Sequence, residues 1–175
     1  MSGTKNGLAT VWNAQSYEKV TEFTRHRNYV RAVDVSPDTT KIPTGSSDET
    51  ACVWSRERLG LLGTFKHDSF VIAAKFSPDG CLIATATWNF VRVYDSESDR
   101  LLVDVPIRVS SVFNNSLAWE SDSKQLFVLS LDCIIIRLDA STGISLSKWP
   151  IHTKVNERCI ALANRYVEPP PLCTS

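Results

Sequence analysis

A unit of about forty residues returns along this chain with its turn and strand residues in fixed places, and that spacing constrains the fold more than any other feature. His67 follows His26 by 41 positions, Ser77-Pro78-Asp79 follows Ser36-Pro37-Asp38 by 41, and Tyr94-Asp95 follows Trp54-Ser55 by 40. Gly3-Thr4-Lys5-Asn6 and Val11-Trp12 precede Gly45-Ser46-Ser47-Asp48 and Val53-Trp54 by 42. Ser130, Asp132 and Leu138-Asp139 follow Ser46, Asp48 and Trp54-Ser55 by 84, which is two periods.

Inside one unit the pattern is that of short strands. Residues 30–35, 41–46 and 50–54 alternate apolar and polar, and they are broken by Ser36-Pro37-Asp38 and Ser47-Asp48-Glu49. Pro37 pre-sets its turn, and Asp38 and Asp48 can bond their own backbone two residues on. Strands are expected in the same way at 61–65, then at 70–76, 81–87, 90–95 and 101–105, then at 116–120, 125–130, 133–139 and 144–149. Ile134-Ile135-Ile136 reads as a strand buried on both faces. A few strands of this length are marginal alone, so the units must stack to hide their apolar faces. Four strands per unit at this period is the pattern of propeller blades.

At these residues the chain resembles the WD-repeat family of β-propellers. That family's repeat has a His before the first strand, a Ser or Thr on the second, an Asp in the turn before the third, and a Trp-Asp pair closing the third. The matching residues are His26, Ser46 with Thr44 as the alternative, Asp48 and Trp54, with Ser55 in place of the last Asp. His67, Trp12 and Asp132 match in the other units. The second full repeat departs from the pattern with Trp88-Asn89 where the turn Asp is expected and Tyr94 for Trp. The third has no His near Arg108 and Leu138 for Trp.

The expected class is therefore all-β, an open arc of about four blades rather than a closed ring. A propeller segment fills 1–167, with a partial blade at 1–24, full repeats at 25–65, 66–105 and 106–151, and a partial blade at 152–167 that opens with His152. Glu168-Pro169-Pro170-Pro171 cannot join a sheet ladder, so 168–175 reads as a disordered tail. The alternative is a four-bladed ring in which 159–163 pairs with 8–13. The chain can equally be a fragment or a truncated gene product.

His26, Asp48 and Ser46 hold the ingredients of a nucleophilic triad. The resemblance implies a structural network instead, in which Asp takes the His proton, His takes the hydroxyl, and the hydroxyl meets the Trp ring nitrogen. A catalytic set spread over successive units with pieces missing is not expected, and the chain reads as no enzyme. His26, His67 and His152 fall on different units, so no metal is expected. Gly60-Leu61-Leu62-Gly63 lacks the Lys of a phosphate loop, and no cofactor is expected.

Binding remains. In a propeller the loops between blades and those joining the second and third strands gather at one end. Here they hold Tyr29, Arg31, Ser47, Phe70 and Trp88. Aromatics and Arg are the usual anchors of an interface. The expected function is a non-catalytic scaffold for another protein or peptide; a sensor or regulatory segment of a larger signalling protein is the alternative. Formal net charge is zero over 175 residues, which offers no general attraction to nucleic acid or acidic membranes. Polar residues open the chain, no apolar run reaches the roughly 20 residues of a membrane span, and a cytoplasmic or nuclear location is expected. Cys52, Cys81 and Cys133 fall on strands of different repeats, so the five cysteines read as reduced. Asn114-Asn115-Ser116 reads as a polar turn. Open blade faces at each end make self-association part of the expectation.

Overall fold

The computed structural model describes residues 2–110 and 116–151. The expected unit at His152 and 159–163, the tail at 168–175, and Asn114-Asn115 lie outside the described residues. The first sheet is β1 (Ser2–Gly3), β2 (Ala9–Trp12) and β3 (Lys19–Phe23). The second is β4 (Val30–Val33), β5 (Lys41–Ser46), β6 (Thr50–Ser55) and β7 (Leu61–Lys66). The third is β8 (Ala73–Phe76), β9 (Leu82–Ala86), β10 (Phe90–Asp95) and β11 (Leu101–Pro106). The fourth is β12 (Leu117–Trp119), β13 (Gln125–Leu129), β14 (Ile134–Asp139) and β15 (Ser145–Pro150).

All pairings within these sheets are antiparallel and run in chain order. The innermost strands stand side by side, β4 against β1, β8 against β4 and β5, and β12 against β8, giving an open arc of four blades. Alternation decides which side chains fill each seam. Phe23, Ile42, Cys52 and Trp54 pack between the first and second sheets. Ala51, Val53, Val71, Phe76 and Ile83 fill the next seam, and Ala84, Val91, Val93, Leu126 and Val128 the last. Each such Val, Leu or Ile contributes about 1.5–3 kcal/mol by leaving water.

The repeat extends to backbone irregularities. The pairing of third with outer strand slips at Val11/Trp12, Val53/Trp54, Val93/Tyr94 and Arg137/Leu138. Each slip falls at the column of Trp12, Trp54, Tyr94 and Leu138, where a bulge re-aims the side chain. Left-handed residues recur too: Thr39, Gly80 and Ser123 in the first turns, Gly7, Glu49 and Cys133 in the second, Tyr17, Leu59, Asp99 and Gly143 in the third.

A non-glycine residue in that region is strained by about 1–2 kcal/mol. Leu59, with φ 51° and an exposed side chain, stabilises nothing in return. Leu59→Gly is expected to raise unfolding stability by about 0.5–1 kcal/mol, part of the relief being offset by the flexibility glycine adds to the unfolded chain. A urea midpoint that fails to rise would show that Leu59 is anchored in a way this turn does not reveal.

The expected double-sided burial of Ile134-Ile135-Ile136 is corrected: all three are half-buried. Only one side of the fourth sheet meets a neighbour among the described residues. Ile136 packs on the inner seam, while Ile135 faces the other way. On that outer side Phe127, Ile135 and Arg137 occupy the columns held by Ala84, Val91 and Val93 one sheet earlier. Phe127 and Trp149 lean together there, ring centres 6.2 Å apart.

Candidate functional site

The second sheet carries a closed hydrogen-bond relay. His26 stands before β4, and its Nδ1 lies 3.0 Å from Asp48 Oδ2 in the turn after β5. Its Nε2 lies 2.7 Å from Thr44 Oγ1 on β5, and Trp54 Nε1 on β6 donates to the same hydroxyl at 2.9 Å. The Arg27 N–H also donates to Asp48 Oδ2, and Thr50 donates to its other oxygen at 2.6 Å. With Nδ1–H held by the carboxylate, Nε2 is the acceptor and Thr44 the donor. Burial pushes the His26 pKa down against the pull of Asp48. Burial pushes Asp48 up, but its bonds from Thr50, Arg27 and His26 outweigh that and hold it below the usual carboxylate value.

The hydroxyl in this relay is Thr44, which corrects the expectation of Ser46. The two share a face of β5, but Trp54 lies opposite Ile42, so Thr44 is its diagonal neighbour and Ser46 stands two residues further away. Ser46 instead donates to Asn28 O at 3.1 Å and accepts from the Asp48 N–H. Thr44 is fully buried, so its hydroxyl meets only protein.

The other sheets carry successively altered versions of the same columns. In the first, Trp12 Nε1 donates to Ser2 Oγ at 3.2 Å, reproducing the Trp–hydroxyl bond, and Trp12 is half exposed. In the third, His67 does not join the expected network. Its Nδ1 accepts from Arg92 Nη1 at 3.0 Å, and Arg92 also binds Asp104 at 3.1 Å and Asp68 at 3.4 Å. Because Arg92 can only donate, His67 must carry its proton on Nε2, the opposite tautomer to His26. Nε2 of His67 and Oγ1 of Thr85, the atoms that would close the relay, are buried without partners. Burial, and next the Arg92 charge, depress the His67 pKa to about 4. In the fourth sheet the columns are apolar, with Ile107, Val128 and Leu138 buried. Asp132 there is exposed, and its carboxylate has no partner among the described residues, because Ile107 stands where the His would be.

At one end of the arc the inter-blade loops and second turns form a platform. Backbone bonds tie them: Ser47 N–H to Tyr29 O at 2.8 Å, Val71 N–H to Ser46 O at 2.9 Å, Val109 N–H to Trp88 O at 2.9 Å and Leu131 N–H to Arg108 O at 2.7 Å. Trp88 takes the place of Ser47 in its turn, and Asn89 that of Asp48, correcting the expectation that Trp88 replaces the Asp. This turn is one residue shorter and lacks the left-handed position held by Glu49 in the second sheet. On the platform Arg31 Nε donates to Ser47 Oγ, and its guanidinium lies over Phe70 at 5.5 Å. Phe70 meets Trp88 edge to face at 5.8 Å, and Lys5 lies over Tyr29 at 5.9 Å. Tyr29 and Trp88 are 44% and 46% exposed, large values for aromatic rings. The structure thus brings Tyr29, Arg31, Ser47, Phe70 and Trp88 to one end. It adds Lys5, a residue the sequence reading passed over although it occupies the turn position of Ser47 and Trp88 at the repeat spacing.

Four-stranded blades stacked in an arc, with a His–Asp–Thr–Trp relay and an aromatic platform, define a repeat protein of the propeller type. The family model described as WD domain, G-beta repeat matches residues 17–55 and 60–95, two repeats of this chain. The chain is 28% identical over 132 residues to Small ribosomal subunit protein RACK1y of Oryza sativa subsp. japonica, covering 73% of this chain and 39% of that protein. It is 27% identical over 136 residues to Small ribosomal subunit protein RACK1 of Caenorhabditis elegans, covering 73% and 42%. It is 32% identical over 125 residues to Apoptotic protease-activating factor 1 of Rattus norvegicus, covering 70% and 10%. The chain thus spans about two fifths of the RACK1 relatives and a tenth of the third.

Proposed function

We propose that the chain is a non-catalytic protein-interaction scaffold acting in the cytoplasm or nucleus, and that it captures a protein or peptide on the platform of Tyr29, Arg31, Ser47, Phe70 and Trp88. The observation that carries this is the exposure of Tyr29 and Trp88 on loops fixed by inter-loop backbone bonds. Large rings held rigidly at a surface lose little freedom on binding, which is what an interface anchor requires. The same two rings contribute little to the seams of the fold. Two further features support the reading. The one His–Asp pair among the described residues serves a hydroxyl that no substrate can reach. No helix among the described residues is long and apolar enough to cross a membrane. Self-association through the outer faces at Trp12 and at Phe127, Ile135 and Trp149 belongs to the same proposal.

The test is site-specific cross-linking in cells with a photoreactive residue at Tyr29, set against one at exposed Leu62 on the outer strand. Cross-linked partners are expected from position 29, and Trp88→Ala is expected to weaken them about tenfold or more, as removal of a hot-spot ring does. The thermal transition should stay in place. Equal cross-linking from position 62, or no effect of Trp88→Ala, would remove the platform from the proposal.

A further inference from the structure

Although the formal charge of the chain is zero, its two ends differ in sign. At the end opposite the platform, formed by the first and third turns, Asp38, Asp79, Asp95, Glu97, Asp122 and Asp139, together with Glu18, Glu57, Asp99 and Glu120, outnumber the cations Lys41, Arg56, Arg58, Arg100 and Lys124. Bonds from Ser36 and Thr40 hold Asp38 at a pKa of about 2, and bonds from Ser141 and Thr142 do the same for Asp139. These groups stay charged throughout the physiological range.

At the platform end the balance reverses. Lys5, Arg27, Arg31 and Arg108 form no ion pair among the described residues. Of the carboxylates there, Asp48 is bonded to His26 and Asp68 to Arg92, which leaves Glu49 and Asp132. Arg31 is the most specific of the cations. Its Nε is engaged by Ser47 and its plane lies over Phe70, so the fork is fixed in direction. Its two terminal amino groups have no partner among the described residues. A fixed fork with both terminal groups open receives a carboxylate through two parallel bonds.

We propose that the platform takes an acidic, extended segment of another protein, with a carboxylate on Arg31 and an adjacent apolar side chain against Trp88. The inference rests on the scaffold reading and adds the chemistry of the partner. The charge at the two ends orients the encounter, since an acidic segment is repelled by the far end and drawn to this one. A polynucleotide is disfavoured. Glu49 and Asp132 interrupt the basic residues, so no continuous track follows a phosphate backbone.

The experiment uses the whole chain and four fluorescent probes read by anisotropy. Three are short peptides with one central Phe, flanked by Asp and Glu, by Ser and Gly, or by Lys; the fourth is a short oligouridylate. The acidic peptide is expected to bind about tenfold more tightly than the neutral one, a preference that added salt erodes. Arg31→Gln should erase that preference, bringing the acidic peptide to the affinity of the neutral one, whereas Trp88→Ala should weaken both peptides alike. If neutral and acidic peptides bind equally through Trp88, the acidic partner is overturned while the scaffold stands. Tighter binding of the Lys-flanked peptide or of oligouridylate overturns it as well. If no probe shows Trp88-dependent binding, the inference fails, and cross-linking from position 29 separately decides the scaffold.

Discussion

Thr44→Val is expected to destabilise the protein by about 3 kcal/mol, and Thr85→Val, at the same column one sheet along, by less than about 0.5 kcal/mol. The two substitutions are chemically identical, both sites are fully buried, and both hydroxyls lie on the second strand of a blade. What differs is the company of the hydroxyl. Thr44 Oγ1 sits between His26 Nε2 at 2.7 Å and Trp54 Nε1 at 2.9 Å. Valine would leave an imidazole acceptor and an indole donor buried and unpaired, at about 1–3 kcal/mol each. Thr85 Oγ1 already lacks a partner, so a methyl in its place removes a desolvated polar atom and fills the same volume. Urea unfolding followed by far-ultraviolet circular dichroism measures both. Equal losses at the two sites would mean that the relay around Thr44 contributes nothing beyond packing.

That contrast also marks where the sequence is legible. The positions of His26, Asp48 and Trp54 can be read from one unit, and so can the strands, because alternation, Ser-Pro-Asp turns and a constant spacing act locally. The choice between Ser46 and Thr44 cannot be read that way. Both lie on one face of β5, and only the cross-strand register, Trp54 opposite Ile42, decides which hydroxyl the indole reaches. Trp88 is obscured for a related reason: deleting one turn residue shifts the alignment between Ser47 and Thr50, and a sequence offset does not say where the gap falls. Arg92 is invisible to the repeat pattern because it approaches His67 from the column of Cys52, whose thiol in the preceding sheet meets the Thr64 hydroxyl and not the His. The paired tautomers of His26 and His67 follow from these contacts alone.

The opposed charge of the two ends was hidden by summation. A formal charge of zero is correct for the chain, yet antiparallel strands of similar length send alternate turns to opposite ends. Asp in the first and third turns, chosen for bonding its own backbone, therefore accumulates on one side. The platform, made of inter-blade loops and second turns, holds fewer, and two of its carboxylates, Asp48 and Asp68, are paired with His26 and Arg92. Turn chemistry thus produces the field that orients a partner, without any residue being dedicated to it.

Lowering the pH from 6.5 to 4 is expected to remove about 3 kcal/mol of stability through His67 alone. Its folded-state pKa is depressed to about 4 from the ordinary 6.5, first by burial and next by Arg92, with Asp68 and Asp104 opposing. The sign follows from proton uptake. Above pH 6.5 both folded and unfolded chains hold a neutral imidazole, and the group has no effect. Between 6.5 and 4 the unfolded chain takes a proton that the folded chain refuses, so stability falls, and below 4 the loss is complete. His26, also depressed by burial, works in the same direction, whereas Asp38 and Asp139 lose their contribution only between 3.8 and about 2. The groups facing His67 are Arg92, Asp68, Asp104 and the edge of the Tyr94 ring. His67→Gln is therefore expected to reduce the loss between pH 6.5 and 4 by about 3 kcal/mol, leaving the part due to His26. Arg92→Leu, which removes the cation and leaves both carboxylates, should move the loss to lower pH or abolish it. Unfolding free energies measured at half-unit steps decide the matter: a slope that His67→Gln leaves undiminished would place the acid sensitivity elsewhere in the arc.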